Sequence, residues 1–308
     1  MRDDRQKLII IGGPTASGKS SLSVELAQHF RGEILNADSM QVYRGMDVGT
    51  AKPSMEERRG INHHLLDVVD PDEDFNASLY RSMALPIIKE MALKERLCFV
   101  VGGTGLYIRA LLGGLMDCPP SVSALRESLQ EECDQYGADV LHQRLQLLDP
   151  ESASKIHPHD KIRIIRALEI IHLTHERPSS LMRKHGFRQS PFRALKICLQ
   201  VDRKQLYHRI NERAYDMIEN GLVEETEALL KRGYSSRLKS MKSLGYRHII
   251  KYLEGVWALD EAVKSLQADT RRYAKRQLTW FRADPEVRWM IPKEVDKIIK
   301  KISAFVLS

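Results

Sequence analysis

The chain has 308 residues, of which 43% are apolar and 29% carry a charge. This composition suits a packed core and excludes disordered and fibrous classes of protein. The 48 Lys and Arg residues against 41 Asp and Glu residues give a net charge of +7, which is compatible with a polyanionic partner. The length suits one large domain with an additional module.

The four cysteines stand at positions 98, 118, 133 and 198, and no two of them form a CxxC pair. A disulfide framework and a zinc site are therefore not expected, and reduced thiols suit the cytosol. No apolar run approaches the roughly 20 residues that cross a bilayer. The amino-terminal MRDDRQK lacks the apolar stretch of a secretory signal. We expect a cytoplasmic protein without a membrane span.

The first hundred residues alternate short apolar runs with helical periodicity. Residues 8–12 (LIIIG) are predicted to form a buried strand, and apolar side chains in 19–30 recur four positions apart, on one face of a helix. The next predicted elements are strands at 33–37, 64–69 and 97–101 and a helix at 78–94. Because strands that alternate with helices form parallel crossovers, we predict an α/β fold with a parallel sheet flanked by helices.

The pattern changes at Cys118-Pro119-Pro120. Residues 123–190 have helical periodicity and many Arg and Lys residues. The remaining predicted elements are a strand at 195–201 and helices at 203–232, 239–253, 259–283 and 293–307. We therefore predict a helical insertion domain at 119–190 within a discontinuous core formed by 1–118 and 191–308.

Residues 13–20, GPTASGKS, fit the phosphate-loop pattern GxxxxGK[ST] and lie between the first strand and the first helix. Glycines allow a concave nest of N–H groups, and the helix adds the positive end of its dipole. Lys19 contributes a full charge, and the Ser20 hydroxyl can hold Mg²⁺. The motif predicts a P-loop-type core that binds a di- or triphosphate through Gly13, Pro14, Thr15, Ala16, Ser17, Gly18, Lys19 and Ser20.

The motif alone does not say which reaction takes place at this loop. Most such loops serve phosphoryl transfer or hydrolysis, with a metal-holding acid after a second apolar strand. Here the strand at 97–101 runs into Gly102-Gly103-Thr104 without an acid, and the acid at a strand end is Asp38. The carboxyl ends of parallel strands lie at one edge, so these residues can converge on one site. Asp38 is either a general base or a capping acid, and Thr104 either a substrate contact or a cap.

The chain resembles the tRNA dimethylallyltransferases, also called tRNA isopentenyltransferases. The matching segments follow the family's order and cover nearly the whole chain. They are GPTASGKS at 13–20, DSMQVYRGMDVGTAKP at 38–53, HHLLD at 63–67, GGTGLY at 102–107, RALE at 166–169, SLGYR at 243–247 and KRQLTWFR at 275–282. The run at 38–53 is the most specific, because a generic phosphate-loop enzyme has no reason to share it.

The resemblance implies transfer of a dimethylallyl group from dimethylallyl diphosphate to N6 of adenosine 37 in tRNA. The phosphate loop would then bind a leaving diphosphate, with Mg²⁺ at Ser20 and with Lys19 and Arg203 as further contacts. Asp38 would act as the general base and Thr104 would lie between base and diphosphate. The residues that the resemblance assigns to the target adenosine are Asp38, Ser39, Met40, Gln41 and Thr104.

The resemblance also implies contacts to the tRNA anticodon stem-loop outside the target base. They fall on Arg126, Ile162, Arg163 and Arg166. From the residues themselves, we expect Gly245 to allow close approach and five cations to face the RNA, namely Lys242, Arg247, Lys275, Arg276 and Arg282. Family members carry Gln-Arg where this chain has Ile162-Arg163, and Ile162 cannot make the polar contact of Gln. Asp160 is expected to orient Arg163. In the helix at 259–283, positions 273, 277, 280 and 281 share a face that we assign to the core. We expect a monomer.

Two other enzymatic functions and one binding function remain alternatives. The same loop serves a prenyltransferase acting on free adenine nucleotides or a small-molecule kinase, but neither needs an inserted domain rich in Arg and Lys. An RNA-binding ATPase would carry a metal-holding acid after the second apolar strand, and LCFVVGG at 97–103 lacks one.

Overall fold

The computed structural model describes residues 5–116, 118–120, 122–186 and 190–308. The chain forms two compact units, one comprising Met1–Leu112 and Pro191–Ser308 and the other Gly113–Ser190. The strands are β1 (Gln6–Gly12), β2 (Glu33–Asn36), β3 (His63–His64), β4 (Cys98–Gly102), β5 (Phe192–Leu199) and β6 (Arg288–Met290). The helices are α1 (Lys19–His29), α2 (Ala77–Leu93), α3 (Gly105–Gly113), α4 (Ser123–Tyr136), α5 (Ala138–Leu148), α6 (Pro150–Lys155), α7 (Lys161–Thr174), α8 (Pro178–His185), α9 (Arg203–Glu219), α10 (Leu222–Lys231), α11 (Tyr246–Leu253), α12 (Leu259–Arg282) and α13 (Val295–Leu307).

In the first unit the six strands form one sheet in the order β3-β2-β4-β1-β5-β6, and every pairing is parallel. The predicted α/β fold with a P-loop-type parallel sheet is confirmed. β1 lies inside the sheet, and its Leu8–Ile11 segment is 0–2% exposed. Its continuous apolar sequence follows from this position, because helices cover both faces of a parallel sheet.

One hydrophobic core lies between the sheet and the helices α1 and α13. Ile9 and Ile11 of β1 pack there with Phe99 of β4, Leu26 of α1 and Ile298 of α13, all of them fully buried. Burial of a side chain of this size contributes about 1.5–3 kcal/mol. This packing fixes the strand ends, and with them the loops that follow β1, β2 and β4.

Several predicted elements differ from the observed ones. The strand predicted at 64–69 is only His63–His64, because Leu65 and Asp67 have φ values of 61° and 54° that a strand cannot accommodate. The helix predicted at 203–232 is interrupted at Gly221, with φ 93°, and becomes α9 and α10. Likewise, α11 begins only after Gly245, with φ 89°. The short edge strand β6 was not predicted.

In the second unit, described as residues 113–116, 118–120, 122–186 and 190, the helices α4 to α8 have their own core. Leu129, Leu141, Leu145 and Ile164 are 0–5% exposed there. Buried Asp149 joins two helices, because its carboxylate accepts N–H groups of Ser152 at 3.1 Å and of Ser179 at 2.9 Å. We propose that this unit is the insertion domain that the sequence assigns to 119–190.

Candidate active site

A pocket of about 1250 Å³ lies in the first unit at the carboxyl ends of the strands. The loop after β1 contributes Thr15–Ser20, the loop after β2 contributes Asp38 and Gln41, and α9 and α12 contribute further side chains. Of the predicted catalytic residues, Lys19 and Asp38 both line it. The crossover topology therefore gathers residues that are far apart in the sequence at one edge.

The phosphate loop needs backbone conformations that favour glycine. Gly13 has φ 147° and Gly18, which opens α1, has φ 87°; side chains rarely adopt such values. The Ser17 N–H donates to the Pro14 carbonyl at 3.3 Å, which closes the turn. The Ser17 hydroxyl oxygen is buried and has no hydrogen-bond partner within the described parts of the chain. A buried hydroxyl in that state is suited to a ligand oxygen.

Lys19 lines the pocket, and its ammonium nitrogen donates to the Pro14 carbonyl at 2.7 Å. Burial lowers the pKa of Lys19 to about 8, although the negative charge of Asp38 acts in the opposite direction. The nearby Arg213 lowers this pKa further. Two cations close to an acid are arranged to receive an anionic ligand.

Asp38 follows β2, and hydrogen bonds that involve backbone N–H groups connect it to its neighbours. Its Oδ1 atom accepts the Met40 N–H at 2.9 Å, and the Asp38 N–H donates to Oδ1 of Asn36 at 3.1 Å. The Thr104 hydroxyl oxygen accepts the Ser39 N–H at 3.0 Å, and the Thr104 N–H donates to the Ala37 carbonyl at 3.1 Å. Asp38 and Thr104 therefore belong to one rigid corner.

Gln41 is oriented by the loop that follows it. Its Nε2 atom donates to the carbonyls of Thr50 at 3.2 Å and Ala51 at 3.1 Å. Both amide hydrogens are thereby used, so Oε1 remains as an acceptor. Glu225 of α10 holds this loop in turn, because its carboxylate accepts three consecutive N–H groups at 2.8–3.0 Å, those of Asp47, Val48 and Gly49.

Arg213 of α9 is a pocket residue that the sequence interpretation missed. Its guanidinium donates to the Thr15 hydroxyl oxygen at 3.4 Å, and burial lowers its pKa. The predicted Arg203 is the exposed first residue of α9. Its guanidinium carbon lies 5.2 Å from the Tyr207 ring centroid, and it is not among the lining residues. The available signal was the spacing of Arg209 and Arg213, four apart on one helical face.

The predicted tRNA contacts in the first unit lie on α11, α12 and the turn before α11. Lys242 is exposed, and Gly245 has the left-handed conformation that starts α11. Arg247 forms an ion pair with Asp269 of α12. On α12, Lys275, Arg276 and Arg282 are exposed, whereas Gln277 and Phe281 are buried. The cations and the core residues therefore occupy different faces.

In the second unit, Glu169 of α7 organises two of the predicted tRNA contacts. Its side chain is 0% exposed, and its Oε2 atom lies 3.2 Å from Arg126 and 2.6 Å from Arg166. Oε1 accepts the Val122 N–H at 2.9 Å. At the start of α7, Arg163 lies 3.4 Å from Asp160, as expected for an orienting partner. Ile162 is 82% exposed.

The donor atoms of the pocket limit how a metal ion could be held. Within residues 5–116, 118–120, 122–186 and 190–308, no group of three or more His, Cys, Asp or Glu side chains could hold a metal ion. Mg²⁺ commonly binds through substrate phosphates, waters and only one or two protein ligands. The hydroxyl of Ser20, which lines the pocket, fits that mode of binding.

The fold and the pocket together define a P-loop-type α/β protein whose pocket combines a glycine-containing loop, cations and carboxylates. Comparison with known proteins specifies the family. The profile of the IPP transferase family matches residues 41–284, and the profile of isopentenyl transferases matches residues 6–71. The chain belongs to the IPP transferase family, the tRNA dimethylallyltransferases, and is a prenyl-transferring enzyme.

Individual relatives match nearly the whole of this chain. A tRNA dimethylallyltransferase 2 of Geotalea uraniireducens is 51% identical over 94% of this chain and 93% of its own. The crystal structure of a tRNA isopentenylpyrophosphate transferase from Bacillus halodurans matches with a TM-score of 0.73 and 40% identity, over 97% of this chain and 96% of its own. A eukaryotic dimethylallyltransferase acting on tRNA matches with a TM-score of 0.80 and 28% identity, over 94% of this chain and 75% of its own.

These matches confirm the family and the enzyme class that the motifs indicated. Among the helices in the described residues, none combines the length and the apolar character that crossing a bilayer requires.

Proposed function

We propose that this enzyme transfers the dimethylallyl group of dimethylallyl diphosphate to N6 of adenosine 37 in tRNA, releasing diphosphate. The observation that carries the proposal is the position of Asp38 among the carboxylates that line the pocket. Asp38 follows β2 and lines the pocket beside Lys19, whereas β4 ends in Gly102 and is followed by Gly103 and Thr104. This arrangement suits a proton acceptor facing a diphosphate, and the names of the relatives support the same reaction.

The diphosphate would bind in the nest at residues 13–20. Backbone N–H groups, the Lys19 ammonium and the Arg213 guanidinium would stabilise the charge that develops as the allylic C–O bond breaks. The unpartnered Ser17 hydroxyl would donate to a phosphate oxygen. Mg²⁺ would be held by Ser20 and the diphosphate, and would supply further charge neutralisation. Arg203 is a less favourable diphosphate contact than Arg213, because it is exposed and does not line the pocket.

On the acceptor side, the exocyclic amine of adenine must lose a proton as it attacks the allylic carbon. Asp38 would take that proton. The Oε1 acceptor of Gln41 would receive an N–H of the base, while Ser39, Met40 and Thr104 would complete the base contact. Thr104 would donate its hydroxyl hydrogen towards the bridging oxygen, since its oxygen already accepts the Ser39 N–H.

The tRNA anticodon stem-loop would supply the adenosine. The target base has to leave its stack, and an unpaired loop base costs less to extract than a paired one. Cations on both units, all exposed except the half-buried Arg166, would bind the phosphate backbone. They are Arg126, Arg163 and Arg166 in the second unit, and Lys242, Arg247, Lys275, Arg276 and Arg282 in the first. Gly245 would allow close approach, and Ile162 would contribute only an apolar contact.

The test is incubation of the purified protein with dimethylallyl diphosphate labelled in the allyl group. Separate reactions contain bulk tRNA, a tRNA lacking adenosine 37, AMP, or tRNA with γ-labelled ATP. We expect label only in the tRNA that contains adenosine 37. Label in AMP would support an adenylate prenyltransferase instead, and phosphate transfer from ATP would support a kinase.

A further inference from the structure

A glutamine of α12 connects two loops of the pocket. The Oε1 atom of Gln277 accepts the N–H of Thr15, in the phosphate loop, at 2.8 Å. Its Nε2 atom donates to the carbonyl of Gly103, in the loop after β4, at 3.2 Å. Gln277 is 5% exposed and lines the pocket. One side-chain amide therefore links the diphosphate site to the residue that precedes Thr104.

Three glycines let α12 come close enough to make this link. A Cβ atom on Gly103 would lie 2.0 Å from Nε2 of Gln277, and one on Gly105 would lie 2.1 Å from the Trp280 ring. A Cβ atom on Gly12 would lie 2.4 Å from the Phe281 ring. Real contacts of this kind are longer, so any side chain at these positions would displace the helix. The Gln277 amide is thus held firmly against both loops.

The same helix also reaches the Thr104 side chain. Tyr273, one turn before Gln277, lines the pocket. Burial and the charge of Asp38 raise the pKa of the Tyr273 hydroxyl, whereas the nearby side chains of Thr104 and Gln277 lower it. Residues four apart lie on one face of a helix, so this face of α12 contacts both the phosphate loop and the Thr104 corner. The distance between the phosphate loop and the loop after β4 therefore depends on Tyr273 and Gln277, whose positions are fixed by α12.

We propose that Gln277 is a positioning residue that sets the phosphate loop and the Thr104 corner at the separation that transfer requires. This inference rests on the proposed function. Gln277 has both its polar atoms engaged with backbone groups, so it acts on the reaction through Thr15 and Gly103. Because a 1 Å error between reacting groups costs about 10²-fold in rate, the amide controls turnover more than substrate binding.

The decisive variant is Gln277→Leu, which keeps a similar volume but removes both hydrogen bonds. We expect its kcat for tRNA prenylation to fall about 10²-fold. The KM for dimethylallyl diphosphate and the Kd for inorganic diphosphate stay within about threefold of wild type, because Lys19 and the nest remain in place. A residue needed only for folding would not separate kcat from KM in this way.

The chain offers a matched control on the same helix. Gln267 is 9% exposed, and its Nε2 atom donates to the Asn211 carbonyl at 3.2 Å. Gln267 does not line the pocket. Gln267→Leu therefore removes a comparable buried amide bond elsewhere on α12, and we expect a lowered melting temperature with kcat within about twofold of wild type, because no pocket contact is lost.

Gln277→Glu provides a second test if the leucine variant fails to fold. It keeps an acceptor for the Thr15 N–H but turns a carboxylate oxygen towards the Gly103 carbonyl, so kcat is expected to fall as well. Turnover of both Gln277 variants within threefold of wild type would overturn the inference. An equal loss in Gln267→Leu, or a loss confined to KM, would also overturn it. If the wild-type enzyme itself failed to label tRNA, the proposed function would fall and this inference with it.

Discussion

The polar residues of the pocket and the cations of the second unit are held in different ways. In the first unit, Asp38 and Gln41 of the pocket, and Thr104 beside Ser39, each form hydrogen bonds with backbone groups at 2.9–3.2 Å. In the second unit, the side chain of Arg163 is 71% exposed and that of Arg126 is 49% exposed. Bond formation requires tight placement of a few atoms, whereas phosphate contacts act through charge and tolerate adjustment. Under the proposed function, the residues assigned to catalysis are therefore fixed by backbone hydrogen bonds, whereas the arginines assigned to RNA are left accessible to solvent.

The largest effect is expected from a substitution of Asp38. Asp38→Asn keeps the oxygen that accepts the Met40 N–H but cannot take a proton, so we expect turnover to fall by about 10² or more with tRNA affinity nearly unchanged. Single-turnover kinetics and filter binding measure the two quantities. Near-wild-type turnover would refute the assignment of Asp38 as the base.

The next largest effect is expected from a substitution of Glu169, whose buried carboxylate lies in the second unit. Glu169→Gln weakens the bonds to Arg126, Arg166 and the Val122 N–H, and we expect a loss of about 2 kcal/mol in the free energy of unfolding, as is usual for bonds to charged groups. Affinity for tRNA should fall, because both arginines lose their orientation. Urea unfolding and filter binding test this.

The control is exposed Glu127→Gln on α4, which should leave both measurements unchanged. A Glu169→Gln variant with wild-type stability and affinity would show that the carboxylate does not organise the arginines. The catalytic rate at saturating tRNA should stay the same, because the pocket belongs to the other unit.

The charge on Lys19 should make diphosphate binding depend on pH. The pKa of Lys19 is lowered to about 8, and a lysine is charged below its pKa, so the cation is lost as the pH rises through this value. Inhibition by inorganic diphosphate should weaken up to about tenfold per pH unit above pH 8. Lys19→Met should bind weakly at every pH. If diphosphate inhibition of the wild type and of Lys19→Met weakened in parallel as the pH rises, Lys19 would be excluded as the source of the pH dependence.

The smallest effect is expected from a single exposed cation. Arg163→Ala should weaken tRNA binding a few-fold and reduce the slope of log affinity against log salt by about one, because one phosphate contact is lost. Arg144→Ala is the matched control, since Arg144 pairs with Glu132 and is not a predicted contact. An unchanged slope for Arg163→Ala would remove it from the RNA footprint.

The sequence determined the local features of this protein. An apolar run followed by GPTASGKS predicts a strand, a nest and a helix, and each of these depends on neighbours within a few residues. The alternation of strands and helices then brings Asp38 and Thr104 to the edge where the phosphate loop lies. The family followed from the same segments, above all the run at 38–53.

Only the tertiary structure decided which side chains complete the site. Gln277 and Arg213 reach the phosphate loop from positions 262 and 198 residues away along the chain, a distance over which local pattern carries no information. The helical wheel grouped Gln277 with Trp280 and Phe281 on a core face, but only the packing of α12 on Gly103 and Gly105 makes that face a wall of the pocket. Contacts between distant segments depend on how whole elements pack, and the sequence does not express that locally.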